Sequence, residues 1–353
     1  MNTDIVGKRI VLIGGAGFIG HNLALELKRR QAIVSVVDSL QVNNLLSLHC
    51  ESLNTNIDRQ MYLGMINERI ELLRAADIPL HVEDARDYLR LNLIIDRLNP
   101  QVVVLLAAVS HASRSNKDPY HTFDHSFRTL ENALDITRSR AAHFIFFSSS
   151  MVYGNFDGEA VNEETVCNPL GIYGALKFGG EKLVIAYHQV FGLPFTIVRP
   201  SALYGERCIS RRVGQVFIEN AMRGQDIVIK GDGREALDFT YVGDLVDGLC
   251  KCIERPEAKN QIFNLTYGRG RSLNEMASVI QQEFPGVNVR HVERDGLMPE
   301  RGTLSIDKAR RLLGYAPCNP LELGYRKYIA WYRGLFDRMK ATPHVVGEAQ
   351  VNE

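Results

Sequence analysis

The stretch KRIVLIGGAGFIGHNLALELKRR, beginning at Lys8, constrains the fold more than any other part of the chain. A short β-branched and apolar run leads into a glycine cluster. Apolar residues then recur at Phe18, Ile19, Leu23, Leu25 and Leu27 ahead of a basic end, which predicts strand, tight turn and helix in that order. Gly14, Gly17 and Gly20 fall at G-x-x-G-x-x-G spacing across the turn. The first glycine permits a sharp reversal, the second lets backbone approach a pyrophosphate, and the third lets the helix pack closely on the strand. Phe18 and Ile19 open the helix, whose unpaired N–H groups face the phosphates. Asp38 closes the next expected strand, where a carboxylate accepts hydrogen bonds from the adenosine ribose hydroxyls and repels a 2′-phosphate. The cofactor expected is therefore NAD rather than NADP, with a strand cap as the plainer role for Asp38.

Further apolar runs at 102–107 and 144–148 read as strands covered on both faces. Alternation of β and α segments points to an α/β fold built on a doubly wound parallel sheet. Segment 43–79 reads as an insertion after the second strand, with ERIELLRAADIP helical. Beyond Arg199, Gly, Arg and Pro become frequent and helical pieces alternate with single strands at 226–230, 261–265 and 287–292. A smaller C-terminal α/β lobe threaded back through the first is expected. The expected division is a dinucleotide domain over 1–200 with a returning segment at about 238–265, a substrate lobe over 201–237 and 266–337, and a disordered tail at 338–353.

Charge narrows the partners. Lys and Arg total 41 and Asp and Glu total 41 in 353 residues, so a balanced surface gives no electrostatic ground for nucleic acid or an anionic membrane. The longest apolar runs, 102–109 and 144–147, fall well short of the roughly 20 residues of a membrane span. The N-terminal MNTDIVGKR leads into too short an apolar stretch for a secretory signal, so a cytoplasmic location is expected. Cys50, Cys167, Cys208, Cys250, Cys252 and Cys318 lack paired zinc spacing and are expected to be reduced. With no H-E-x-x-H and no G-K-S/T turn, neither a metal site nor ATP-driven chemistry is expected.

Hydroxyl and phenol chemistry is concentrated in FIFFSSSMVYGN and NPLGIYGALKFGGEKL. The first places Ser149 and Ser150 at the end of a strand, the edge where open α/β sheets bind ligands. In the second, Tyr173 and Lys177 stand four apart on a helix and so emerge on one face. A phenol near pKa 10 is a poor base, and an adjacent ammonium lowers that value by favouring phenolate. A helical Tyr with a solvated Lys is the plainer reading of such a pair; the glycine turn upstream and the serine cluster between weigh against it.

Taken in order, GGAGFIG, SSSMVYG, YGALK, GDGREALDFTYVGDL and DKARRLLGYAP resemble the extended short-chain dehydrogenase/reductase family, in its NAD-dependent nucleotide-sugar epimerase/dehydratase branch. The resemblance runs over most of the chain. It implies a Rossmann-type domain for NAD, a smaller lobe for a nucleotide sugar, and a homodimer formed through a four-helix bundle. Tyr173 then looks like the catalytic base and acid, Lys177 like the residue that lowers its pKa and holds the nicotinamide ribose, and Ser149 like the hydroxyl steadying the reacting group. Asp84, with Ala85 beside it, resembles the acid at the adenine amino group, and Leu106, Ala107 and Ala108 resemble the segment along the cofactor. Arg199 and Pro200 match the strand and loop that begin the substrate lobe.

Departures from the family pattern shape the expected reaction. Dehydratases of the family carry an Asp-Glu pair after the catalytic Ser or Thr, where this chain has Ser150 and Met151. Reversible oxidation at one carbon needs no such pair. Epimerisation, most simply at carbon 4, is the expected activity, with a sugar-nucleotide dehydrogenase or 4-keto reductase and a catalytically silent NAD-binding protein as alternatives. The family's Asn and Arg contacts to the diphosphate stand here as Ala202 and Leu237, and a family Asn as His125. Arg207, Arg211, Arg212 and Arg301 are the candidates for the missing charge, with Ser150, Arg207 and Arg301 the expected substrate contacts beside Ser149.

Overall fold

The computed structural model describes residues 5–41, 45, 57–109, 112–140, 142–156, 158, 160–293 and 299–341. Seven strands form one parallel sheet: β1 (Arg9–Ile13), β2 (Ile33–Val37), β3 (Leu80–His81), β4 (Val102–Leu105), β5 (His143–Phe147), β6 (Phe195–Arg199) and β7 (Gln261–Asn264). Their spatial order is β7-β6-β5-β4-β1-β2-β3. The chain winds outward from β1 in one direction and, from β4, in the other, so the order reverses between β1 and β4. Loops leaving the C-terminal ends of those two strands frame a crevice there, which is where sheets of this kind take ligands. Register is tight: Arg9 to Ile13 face Ile33 to Val37 on one side, and Ile10 to Ile13 face Val102 to Leu105 on the other.

Strands β4 and β5 are buried throughout because helices cover both faces. One face is covered by α1 (Phe18–Arg29), which packs Leu23, Ala24 and Leu27 against Ile10, Leu12, Val34 and Val36. The other is covered by α3 (Tyr88–Leu98), α4 (Thr129–Arg138) and α5 (Gly171–Phe191), which bring Leu91, Ile95, Leu130, Leu134 and Val184 onto Val11, Val103, Phe144 and Phe146. Helix α5 stops at Gly192, whose left-handed φ of 69° closes the C-terminus without a Cβ clash.

A second core lies beside the sheet. Helix α6 (Val213–Met222), helix α8 (Leu273–Glu283) and helix α10 (Leu321–Ala341) gather Phe217, Ile218, Met276, Ile280, Tyr325, Tyr328 and Tyr332, next to the parallel pair Ile227–Lys230 and Val289–Val292. Between α6 and α8 the chain returns to the first core: α7 (Val242–Glu254) lays Leu245, Leu249, Cys250, Cys252 and Ile253 against α1, and β7 joins the sheet edge. It returns once more through α9 (Asp307–Leu313), whose Ala309 and Leu313 pack in the first core.

Three sequence expectations change. Segment 43–79 is the crossover of a β-α-β unit rather than an inserted module: within its described part, α2 (Ile57–Ala75) leads to β3, which pairs parallel with β2. Met61 and Met65 of α2 pack into the second core, so this crossover also joins the lobes. Second, the strand expected over 102–107 ends at Leu105, where the chain turns into the crevice. Third, Arg338, expected in a disordered tail, lies within α10, which runs to Ala341, and pairs with Glu68. Residues 342–353 lie outside the described residues. Among the described residues, no helix is long and apolar enough to cross a membrane, and no group of three or more His, Cys, Asp or Glu is gathered as for a metal ion.

Candidate active site

The glycine turn is fixed by steric necessity. Gly14 has φ +83°, and a Cβ there would meet the backbone N of Ala107 at 2.5 Å, so the loops after β1 and β4 touch at this glycine. Leu106 and Ala107 both donate their N–H to the carbonyl of Ile13, at 2.8 and 3.0 Å. A Cβ at Gly20 would lie 2.5 Å from the Cα of Gly15, which is how α1 comes down on the turn. Gly17 is the N-cap of α1 and contributes no side-chain cap, leaving the first N–H groups of Phe18, Ile19 and Gly20 to an outside acceptor. A backbone cradle, a helix N-terminus and no bulk at three positions fit a dinucleotide pyrophosphate.

Asp38 follows β2 at the same end of the sheet. Its Oδ2 accepts the N–H of Ala16 at 3.0 Å and its Oδ1 that of Leu40 at 2.8 Å, so the carboxylate is locked in place while each oxygen keeps a lone pair. Burial pushes its pKa up, and these two bonds and the Arg69 cation counter it. Farther along the crevice, Asp84 is gripped by Arg86 through Nε and Nη2, and Arg86 reaches Asp124 at 2.6 Å. Burial would raise the Asp84 pKa, but Arg86 holds it below the usual carboxylate range. The carbonyl of Ala85 accepts from Asn132 at 3.0 Å. His125 lies within electrostatic reach of Arg86, Asp84 and Asp124, and burial lowers its pKa.

The Ser, Tyr and Lys of the sequence converge at the adjoining strand end. Ser149 follows β5 and caps a 3₁₀ turn, Ser150–Val152, accepting the N–H of Met151 at 3.2 Å. The Ser149 side chain lies beside the Tyr173 hydroxyl and works against the rise in its pKa. Tyr173, Lys177, Ala107 and Ala108 line one small cavity with Ser126, Phe127 and Phe146. Ser150 is buried, its N–H donated to the carbonyl of Pro200 at 2.9 Å. Helix α5 approaches this turn so closely that a Cβ at Gly174 would stand 2.8 Å from the Met151 carbonyl oxygen. Sequence reasoning passed over Gly174, although the glycine of YGALK next to Tyr173 was the available signal.

Lys177 was expected to lower the Tyr173 pKa; its Nζ donates to the Phe147 carbonyl at 2.7 Å and its charged neighbour is Glu181. Burial pushes Lys177 down to about 8. Tyr173 itself is raised by burial, and the groups opposing that rise are Arg212, Ser149 and Arg301. Glu181 gives Lys177 only a shared charge, because Arg199 forks onto both its oxygens at 2.9 and 2.7 Å and Ser148 donates to it at 2.5 Å. Arg199 also reaches Tyr153, whose hydroxyl donates to Asn264 at 2.8 Å. This buried set fastens β5, α5, β6 and β7 beneath the site.

The arginines divide. Arg301 stands near Tyr173 with its Nε buried and unpaired among the described residues, and burial, then Arg212, lowers its pKa. Arg211 is exposed. Arg207, expected at the substrate, is committed elsewhere: Nε donates to His21 Nε2 at 2.9 Å, Nη1 to Glu68 at 3.1 Å, and the guanidinium lies over the Trp331 ring. Burial and two neighbouring arginines hold the His21 pKa well below its ordinary value, so the neutral ring accepts at Nε2 and donates from Nδ1 to the Gly17 carbonyl at 2.9 Å. The fully buried Arg69 donates to the Arg207 carbonyl through Nε and Nη2. Ala202 has φ +36° and, like Leu237, packs against the second core.

Comparison with known proteins agrees with this geometry. The family model described as NAD dependent epimerase/dehydratase matches residues 10–266. A putative UDP-glucose 4-epimerase of Methanocaldococcus jannaschii is 29% identical over 331 residues, covering 92% of this chain and 98% of the relative. An uncharacterized UDP-glucose epimerase of Bacillus subtilis (strain 168) is 27% identical over 340 residues, covering 93% and 99%. Among solved structures, UDP-glucuronic acid 4-epimerase of Bacillus cereus in complex with UDP-glucuronic acid and NAD superposes with a TM-score of 0.80 at 24% identity, over 92% of this chain and 99% of that one.

Proposed function

The chain belongs to the NAD-dependent epimerase/dehydratase family, and from that premise we infer that it is a nucleotide-sugar epimerase that inverts one ring carbon, carbon 4. The observation that carries this reading is the gathering of Ser149, Tyr173 and Lys177 at the strand end beside the loop that touches the glycine turn, with no carboxylate pair after Ser149 to drive elimination. Bound NAD supplies the acceptor and donor of hydride. Gly14, Gly17, Phe18, Ile19 and Gly20 hold its pyrophosphate, Asp38 the adenosine ribose, Asp84 and Ala85 the adenine, and Leu106, Ala107 and Ala108 the length of the crevice. Lys177 has spent one of its three N–H groups on Phe147 and offers the others to the nicotinamide ribose.

Tyr173 takes the proton of the sugar hydroxyl at its phenolic oxygen and later returns it, with Ser149 fixing that oxygen in line. Burial makes the phenol a reluctant acid, and the Arg212 and Arg301 cations work against burial. The second lobe keeps water from the transient ketone. A panel of UDP-, GDP-, CDP- and dTDP-sugars identifies the substrate, and interconversion of two epimers without net gain of reduced nicotinamide separates an epimerase from a reductase.

Replacing Tyr173 by Phe is expected to cut turnover on the order of 10²–10⁴-fold while leaving NAD bound. Unchanged turnover would remove Tyr173 from the chemistry. We read the protein further as a cytoplasmic homodimer; the family resemblance and the exposed Tyr120, Phe123, Val190 and Phe191 support a helical interface. Light scattering of the purified protein tests the assembly.

A further inference from the structure

We propose that Glu181 is a positioning residue of the reaction: it sets the register of α5 on the end of β5 and, with it, the place and the charge of Lys177. This rests on the nucleotide-sugar reading above. Tyr173, Lys177 and Glu181 stand four apart along α5, so one helix face presents all three to the strand end. Three consecutive residues of that strand end answer them. The Ser149 side chain lies beside the Tyr173 hydroxyl, the Phe147 carbonyl accepts from Lys177 Nζ at 2.7 Å, and Ser148 Oγ donates to Glu181 Oε1 at 2.5 Å. Two glycines let the helix lie this close: a Cβ at Gly174 would stand 2.8 Å from the Met151 carbonyl oxygen, and one at Gly180 would stand 2.7 Å from the Phe146 ring. Slipping α5 by one residue would break all three contacts together.

Glu181 is buried, and a second strand holds it: Arg199 of β6 forks onto both its oxygens at 2.9 and 2.7 Å. Strand β6 runs beside β5, with the Ser148 N–H donated to the Val198 carbonyl at 2.8 Å, so strand register passes through the guanidinium to the helix. The surroundings of Lys177 leave this carboxylate as its counter-charge. Besides Tyr173 and Glu181 on its own helix, Lys177 meets the Phe146 ring at 5.2 Å and the Phe147 carbonyl on β5, and Ala107, Ser126 and Phe127 line the same small cavity. Burial lowers Lys177 to about 8, and Glu181 is the charged group that works against that fall. The same carboxylate thus ties down a strand, a helix and a cation.

The test is urea unfolding of the purified protein from about pH 6 to about pH 10, each form with and without Lys177→Met, beside the pH profile of turnover. In the wild type the cost of burying the Lys177 cation is carried in full below about pH 8 and is relieved as the pH rises toward the ordinary 10.5. Glu181→Gln is expected to start that relief at least about one pH unit lower, and to bring the alkaline fall of turnover down by the same amount. If Glu181→Gln, which strands the buried Arg199 charge, does not fold, Glu181→Gln combined with Arg199→Met carries the comparison. Lower stability with both pH transitions in place overturns the proposal, since an ion pair that only joins strands acts alike across this range. If the wild type turns over no nucleotide sugar, the reading above fails, while the unfolding curves still decide whether Glu181 sets the charge of Lys177.

Discussion

The two walls of the crevice are held in different ways. On the dinucleotide side, position is set by contact: Gly14 lies against Ala107, Gly20 against Gly15, and Asp38 is pinned by two backbone N–H groups. On the facing side charge plays a larger part: the Arg301 and Arg212 cations act on the Tyr173 phenol, with Glu235 beside Arg301. A wall built from backbone contact tolerates one residue at each place. A wall built from long cations lets charge arrive from more than one element, as it does from Arg212 ahead of α6 and from Arg301 ahead of the strand Thr303–Leu304. The first kind of site is anchored to sequence position and the second is portable.

That contrast can be broken by substitution. The largest effect is expected from Gly14→Val, where a Cβ 2.5 Å from the Ala107 nitrogen and a φ of +83° both oppose the side chain. Stability should fall on the order of 2–4 kcal/mol and NAD affinity by at least about a hundredfold, read by melting and by cofactor titration. Retained NAD binding would show that contact does not set this wall.

A smaller effect of opposite sign is expected from Lys177→Met. Lys177 falls to about 8 in the fold from an ordinary 10.5, so the folded state holds its proton less well than the unfolded chain. The wild type carries that cost in full below pH 8 and is relieved of it as the pH rises toward 10.5. Lys177→Met should therefore gain about 2–3 kcal/mol at pH 7 while losing turnover, the gain shrinking above pH 8 in urea melts followed across pH. Smallest is Ala202→Asn: at φ +36° Asn is better tolerated than Ala, and about 0.5–1 kcal/mol of added stability is expected in the same melts.

The strand-turn-helix at Lys8, the buried strands and the parallel, doubly wound character of the sheet were legible in the sequence because they follow from periodicity, from the alternation of β and α segments and from the sterics of glycine. The two-residue strand Leu80–His81 was not, since so short a segment carries no alternation. Nor was the crossover 43–79, whose helix faces two cores and so shows no single apolar stripe. Tyr173 and Lys177 were found by spacing, but spacing says nothing of a third party. The carbonyl of Phe147 takes the lysine and remote arginines act on the phenol, and both depend on where distant loops come to rest. Arg207 was misplaced for the same reason: a guanidinium reaches several ångströms, and His21, a neighbour only in space, claims it.

The hold of Arg207 on His21 and Glu68, doubled by Arg69 on its carbonyl, bolts the loop of one lobe to two helices of the other. His21 in turn grasps Gly17 in the nucleotide turn. Prising the lobes apart would drag a guanidinium off a buried ring and tug at the floor beneath the cofactor. Halves riveted in this manner do not swing as jaws. Whatever flips over when a ring carbon changes hand must be the guest, pivoting inside walls that stay still.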